Sequence, residues 1–137
     1  MAGLQHHRFD PDRRLKYLII LALLAALTYL ANRWIIIPQE SSAPFFRNHL
    51  GDILALPVYL PLSLYLAIRL AVIPKDFNFN IGHIFGAVIL FSLIFEGLLP
   101  MVDESSSRDP WDIVAYLVGG LLVYLTIRVS TNEAANK

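Results

Sequence analysis

The sequence contains no cysteine and few charged residues. Lysine, arginine, aspartate and glutamate make up 16% of the 137 residues, whereas an average soluble domain is about a quarter charged. The absence of cysteine excludes a disulfide framework and thiol chemistry. The formal net charge is zero, and the basic residues lie mostly at the ends of apolar segments. We therefore expect no binding to nucleic acid.

Motifs of several large enzyme classes are also missing. The chain has no nucleophile elbow, no phosphate-binding loop, no dinucleotide fingerprint and no paired zinc motif. No residue can be assigned a catalytic role on this basis, so whether the protein is an enzyme stays open.

What the sequence does have is apolar segments, because 56% of its residues are hydrophobic. Four such segments cover residues 15–37, 52–73, 81–102 and 112–129. Each holds roughly 15 or more consecutive uncharged residues and is apolar on all faces, as expected for helices in lipid. The pattern predicts an all-α membrane protein, a bundle of four transmembrane helices. Because the runs fall slightly short of a typical span, a soluble bundle with buried core helices is the alternative.

The predicted organisation is one transmembrane domain, residues 15–130, between tails at 1–14 and 131–137. The first apolar segment follows a basic stretch like that of a signal peptide, but it is too long for one, so we expect it to be retained. Eight lysines and arginines fall on the side of the termini and three on the other side. This bias places both termini in the cytoplasm and the loops at 38–51 and 103–111 outside.

Glu96 is an ionisable residue within the third apolar segment, about one turn before its outer end at Pro100. A carboxylate at such a position is costly, and it has to lie near the membrane edge, be paired, or face a wet cavity. Arg108 follows in the outer loop and is the expected partner of Glu96. We therefore expect function at the outer side.

Two neighbouring groups extend this outer site. His49 and Asp52 are three residues apart at the start of the second segment and can share a helix face. Asp112 begins the fourth segment and has the helical spacing to lie above Gly119 on a face that packs closely against other helices. The alternatives are that Asp52 is a helix cap, that His49 is an interface histidine, and that Asp112 merely faces a helix N-terminus, where Asp109 is the expected cap.

The candidate ligand-binding residues are thus Glu96, Arg108, Asp112, Asp52 and His49. Their oxygens and imidazole are suitable ligands for a divalent ion, but the spacing matches no dedicated metal motif, so a metal cofactor is not favoured.

Pro57 and Pro61 lie in the second segment, and each frees a backbone carbonyl four residues earlier, at Ile53 and Pro57. Two interpretations stay open. Either the freed carbonyls line a small polar pocket between the second and third segments, or the prolines cause an ordinary kink whose carbonyls are bonded by neighbouring hydroxyls.

The last 50 residues or so resemble the VanZ-like membrane proteins. The residues that carry the resemblance are Glu96, Arg108, Asp109, Asp112 and Gly119. Leu99 and Tyr116 stand where that family favours glutamine and asparagine. The resemblance implies a four-helix protein of the bacterial inner membrane, in a family whose name-giving member is associated with glycopeptide resistance and which has no well-defined activity.

The leading functional expectation is an accessory or resistance-type protein whose outer pocket recognises a cell-envelope component, either a membrane lipid or an envelope precursor. The alternative is a small membrane enzyme acting on a lipid or lipid-linked substrate, with Glu96 or Asp112 as base or metal ligand. A third hypothesis is a transporter subunit, which would require a homo-oligomer because four helices leave little room for a transport path.

Overall fold

A computed structural model describes residues 11–39, 43–102 and 109–135, and these contain helices and connections but no strand. The helices are α1 (Pro11–Ala31), α2 (Pro44–Asn48), α3 (Leu50–Arg69), α4 (Ile81–Ser92), α5 (Leu99–Val102) and α6 (Pro110–Ala135). Two segments with wider, π-helical turns continue them: Asn32–Ile36 extends α1, and Leu93–Leu98 joins α4 to α5.

Four stretches are long and apolar enough to cross a membrane. They are Pro11–Ile36, Pro44–Arg69, Ile81–Leu98 and Pro110–Thr131, with lengths of 26, 26, 18 and 22 residues. At a helical rise of about 1.5 Å per residue, the spans are about 27–39 Å long, comparable with a hydrocarbon core about 30 Å thick when the longer ones are tilted. Large apolar side chains such as Leu23, Leu27 and Leu93 are exposed on the outside of the bundle, where lipid would cover them. The prediction of a four-helix membrane bundle is confirmed, and the protein is a multi-pass membrane protein.

Helix α6 packs against α1, α3 and α4, which belong to the other three spans. Two glycines on α6 allow this close packing. A Cβ atom at Gly119 would overlap the carbonyl oxygen of Ile53 on α3, and one at Gly120 would lie 3.0 Å from Ile84 Cγ2 on α4. The close helix contact predicted for this face of α6 is therefore confirmed.

The Ile53 carbonyl is one of the two groups freed by the prolines of α3. Helix α3 continues without interruption through Pro57 and Pro61, and both prolines are buried. The Ile53 oxygen faces Gly119 of α6, so the space beside it is filled by a neighbouring helix backbone. This freed carbonyl thus lies against the fourth span.

Both wide-turn segments end two residues before a proline. The Ile37 N–H donates to Asn32 O at 2.9 Å, and the Leu99 N–H donates to Ile94 O, each across five residues. Pro38 and Pro100 come next in the sequence. A proline ring clashes with the carbonyl four residues earlier in a regular α-helix, so a wider turn is favourable here. The two segments contain the polar residues Asn32 and Glu96.

At the opposite end of the bundle, Arg14 is buried and connects α1 to the loop between α3 and α4. It is 2% exposed, and its Nη2 donates to the carbonyl oxygen of Phe77. Helix α4 begins nearby with a reciprocal cap, because Asn80 Oδ1 accepts from the His83 N–H and His83 Nδ1 accepts from the Asn80 N–H. The Arg14 contact holds the loop between α3 and α4 against the first span.

We predict that Arg14→Met lowers the free energy of unfolding in detergent by about 1 kcal/mol, because it leaves the partly buried Phe77 carbonyl without its donor. Thermal unfolding followed by circular dichroism measures this. Arg69→Met is the matched control, since Arg69 is exposed at the end of α3. Equal losses of stability in Arg14→Met and Arg69→Met would contradict a stabilising role for the hydrogen bond from Arg14 to the Phe77 carbonyl.

Candidate functional site

His49 and Asp112 form a direct contact at the end of the bundle that the sequence predicts to be the outer one. His49 precedes α3 and Asp112 lies in the first turn of α6, and His49 Nδ1 is 3.0 Å from Asp112 Oδ1. Their side chains are 24% and 17% exposed. A carboxylate acceptor makes this hydrogen bond charge-assisted and stronger than a neutral one. Asp112 thus faces the bundle, and His49 is an inter-helix partner.

Asp52 joins this pair from the first turn of α3. Its Oδ1 accepts a hydrogen bond from the Tyr116 hydroxyl of α6 at 3.3 Å. One potential ligand atom from each of His49, Asp52 and Asp112 lies within 4.8 Å of the others. The N-cap position of α3 belongs to His49, so Asp52 is available for contacts across to α6. We call His49, Asp52 and Asp112 the outer cluster.

Glu96 lies beside the start of α6, where its Oε2 accepts the backbone N–H of Asp109 at 3.0 Å. Asp109 Oδ1 in turn accepts the Trp111 N–H at 3.0 Å, which confirms Asp109 as the helix cap. A carboxylate at this place interacts favourably with the positive end of the helix dipole. Arg108, the partner expected from the sequence, lies outside the described residues.

A cavity of about 620 Å³ lies among α1, α3 and α4 and reaches the outer end of the bundle. Its size falls within the range of small-molecule sites, about 300–1,000 Å³. Polar groups that line it are Asn32, Arg33, Arg47, Asn48, Asp52 and Tyr116. Apolar and aromatic residues that line it include Leu30, Leu54, Val58, Tyr59, Phe91 and Phe95. Asp52 and Tyr116 connect the cavity to the outer cluster.

Asn32 lines this cavity and was not among the site residues predicted from the sequence. It is 3% exposed, and its Nδ2 donates to the Phe46 carbonyl at 2.7 Å. Among the described residues its Oδ1 has no hydrogen-bond partner. Such an atom is costly in a buried position unless something donates to it. The available signal was that Asn32 is the one amide side chain in the apolar segment 15–37.

The outer cluster has the chemistry of a metal site as well as that of a hydrogen-bonding site. One imidazole nitrogen and two carboxylate oxygens are ligands that zinc and similar ions accept, and three protein ligands leave room for water or substrate. The same imidazole and carboxylate also bind each other directly in the arrangement described above. Metal binding and the direct hydrogen bond both require the start of α3 to lie beside the start of α6.

Comparisons of the chain with protein-family models, with curated proteins and with solved structures find no match. The four described residues that carry the VanZ-like resemblance all lie at helix contacts. Glu96 binds the start of α6, which Asp109 caps; Asp112 binds His49, and Gly119 touches α3.

Proposed function

We propose that this protein is an accessory membrane protein of VanZ-like type whose outer pocket recognises a component of the cell envelope. The observation that carries the proposal is the cavity of about 620 Å³, which combines charged and amide groups with apolar and aromatic walls. An amphiphile, such as a membrane lipid or a lipid-linked envelope precursor, has the same combination of a polar head and apolar chains. Preformed pockets with few polar groups in an apolar lining are typical of ligand sites.

The orientation of the pocket supports recognition from outside the cytoplasm. An even number of spans brings the two ends of the chain to the same side of the membrane, and the outer cluster lies at the other side. The excess of lysine and arginine on the side of the termini favours a cytoplasmic location for them. On this proposal the protein resides in a bacterial inner membrane with its pocket facing the envelope.

We predict that a cysteine introduced at Ser106 is labelled in intact cells by a membrane-impermeant thiol reagent, whereas one at Lys75 is labelled only after lysis. The chain contains no cysteine of its own, so each variant reports a single site. Lys75 lies in the exposed loop between α3 and α4, on the side of the termini. The opposite labelling pattern would contradict an envelope ligand and place the outer cluster in the cytoplasm.

A membrane enzyme acting on a lipid or lipid-linked substrate is the second candidate, and the metal-compatible arrangement of the outer cluster favours it. It predicts turnover that depends on a divalent ion and that Asp112→Asn abolishes in a protein that remains folded. Purified protein incubated with extracted envelope lipids, with and without chelator, measures this. Stabilisation by lipid without turnover would support the accessory role.

A further inference from the structure

We infer that the cavity binds an anionic phospholipid, whose phosphate lies at Arg33 and Arg47 and whose chains lie along the apolar walls. This inference rests on the proposed function and specifies the class of its ligand. Three observations carry it: the charges that line the cavity, the hydrogen bond that joins the segments of the two arginines, and the depth of the arginines in the membrane.

The described lining of the cavity carries more positive than negative charge. Its charged residues are Arg33, Arg47 and Asp52. An arginine side chain stays protonated in proteins and offers several N–H donors, which match the oxygens of a phosphate. Glu96 and Asp112 do not belong to this lining, so Asp52 is its one described carboxylate. Two guanidinium groups against one carboxylate favour a ligand with a net negative charge.

A hydrogen bond between neighbouring segments brings the two arginines to the same end of the cavity. Asn32 Nδ2 donates to the Phe46 carbonyl at 2.7 Å, which joins the wide turn after α1 to α2. Arg33 and Arg47 are the residues that directly follow Asn32 and Phe46 in the chain. Two like charges on joined segments repel each other, and an anion bound between them relieves this repulsion. A phosphate has enough oxygens to accept from both guanidinium groups at once.

Both arginines lie at the depth where the phosphates of a lipid leaflet lie. Arg33 precedes the end of the first span at Ile36 by three residues, and Arg47 follows the start of the second span at Pro44 by three residues. At about 1.5 Å per residue, both positions are within roughly 5 Å of the ends of their spans. The lipid head groups begin where the hydrocarbon core ends. Basic pockets between spanning helices are a recurring kind of site for anionic head groups.

The apolar walls of the cavity lie deeper in the membrane than the arginines. Val58 and Tyr59 follow Arg47 along the second span by 11 and 12 residues, a distance of about 16–18 Å. The Tyr59 ring packs against Phe91 of α4 with their centroids 5.6 Å apart. A charged end at the membrane edge and an apolar end toward its middle match the orientation of a phospholipid. Acyl chains gain van der Waals contacts along these walls that a soluble phosphate cannot make.

The test measures lipid binding to the purified full-length protein by native mass spectrometry. The probes are phosphatidylglycerol, phosphatidylethanolamine and phosphatidylcholine with the same acyl chains, which share a phosphate diester and differ in net charge. We expect the affinity for phosphatidylglycerol to be about tenfold or more higher than for either zwitterionic lipid, since two arginines oppose one aspartate in the described lining. Equal affinities for the three lipids, or tightest binding of a zwitterionic lipid, would overturn the inference.

Arg33→Met and Arg47→Met should each lower the preference for phosphatidylglycerol by about threefold to fivefold, and the double variant should remove it. Both residues are exposed, so we expect the variants to fold normally, which circular dichroism checks. Arg69→Met is the matched control, because Arg69 is an exposed arginine at the opposite end of the second span and does not line the cavity. An equal loss of preference in Arg69→Met would mean that any arginine at the membrane edge attracts the lipid, which contradicts binding in the cavity.

Asp52→Asn should raise the preference for phosphatidylglycerol by about threefold, because it removes the negative charge from the described lining. The new amide oxygen can still accept from the Tyr116 hydroxyl, so the contact between α3 and α6 is kept. Asp76→Asn is the control, since it makes the same substitution at an exposed position in the loop between α3 and α4. A preference that does not rise in Asp52→Asn, or that rises equally in Asp76→Asn, would contradict an anionic ligand in this cavity.

A competition experiment separates a lipid from a soluble phosphate compound. Glycerophosphoglycerol carries the same head group without acyl chains, and we expect it to displace bound phosphatidylglycerol only weakly. Displacement at equal concentration would overturn the lipid assignment. If the three lipids bind equally but Ser106→Cys is labelled from outside, only this inference fails, and recognition of another envelope component stands.

Discussion

Gly119→Ala is expected to lower the stability of the protein by about 2–3 kcal/mol, because the added methyl group has no room. The Cβ atom would overlap the carbonyl oxygen of Ile53 and lie 3.1 Å from Pro57 Cδ. Both neighbours belong to the buried part of α3, so relief requires a shift of one helix backbone relative to the other. Overpacking of this kind typically costs about 1–3 kcal/mol. Thermal unfolding in detergent, followed by circular dichroism, measures the effect.

Gly86→Ala is the matched control for this substitution. Gly86 lies within α4, and a Cβ atom there would meet nothing within 4 Å. Because alanine favours a helix more than glycine does, this variant should be unchanged or more stable by up to about 1 kcal/mol. The two substitutions therefore have opposite expected signs. Equal loss of stability in both would mean that α3 and α6 do not approach closely at Gly119.

The positions of the spans could be predicted from the sequence because the bilayer imposes a simple rule of length and apolarity. The helix cap at Asp109 could be predicted as well, since Asp followed by proline is a local pattern that needs no knowledge of the tertiary structure. The face of α6 that contains Asp112 and Gly119 follows from helical spacing alone. Local chemistry and periodicity were sufficient for these features.

Other features depend on the order of the helices around the bundle, which apolar segments do not encode. The burial of Arg14 against the Phe77 carbonyl requires the first span to lie beside the loop between α3 and α4. The hydrogen bond that Asn32 Nδ2 donates to the Phe46 carbonyl requires a wide turn at the end of α1 and the nearby α2. From the sequence, Arg14 is only one of the basic residues ahead of the first apolar segment, and Asn32 has no assigned role. The hydrogen bonds that these two side chains donate are tertiary contacts, which the sequence pattern does not predict.

The residues of the outer site have a structural role beside any ligand role. Glu96 accepts from the backbone at the start of α6, and Asp112 contacts His49 at the start of α3. Substituting either carboxylate therefore alters how the helices meet, so loss of function alone would not identify a residue that touches the ligand. Asp52 and Asn32 are better probes of binding, because both line the cavity itself.

The second prediction with a large expected effect on stability concerns the contact between His49 and Asp112. We expect Asp112→Ala to lower the free energy of unfolding by about 1.5–3 kcal/mol, because it removes a charged partner from a hydrogen bond that is mostly shielded from water. His49→Ala should have a smaller effect, since the remaining carboxylate still gains from the helix N-terminus of α6. Chemical unfolding of the two single variants and the double variant in detergent measures the pair.

The double variant decides whether the contact itself is responsible. If His49 and Asp112 act through each other, the double variant should be more stable than the sum of the two single losses predicts, by about 0.5–3 kcal/mol. Asp112→Asn should fall between wild type and Asp112→Ala, because it keeps an acceptor oxygen for His49 and loses the charge. Additive losses would show that each side chain acts separately, and the close approach of α3 and α6 at the outer end would then depend on Gly119 and not on this pair.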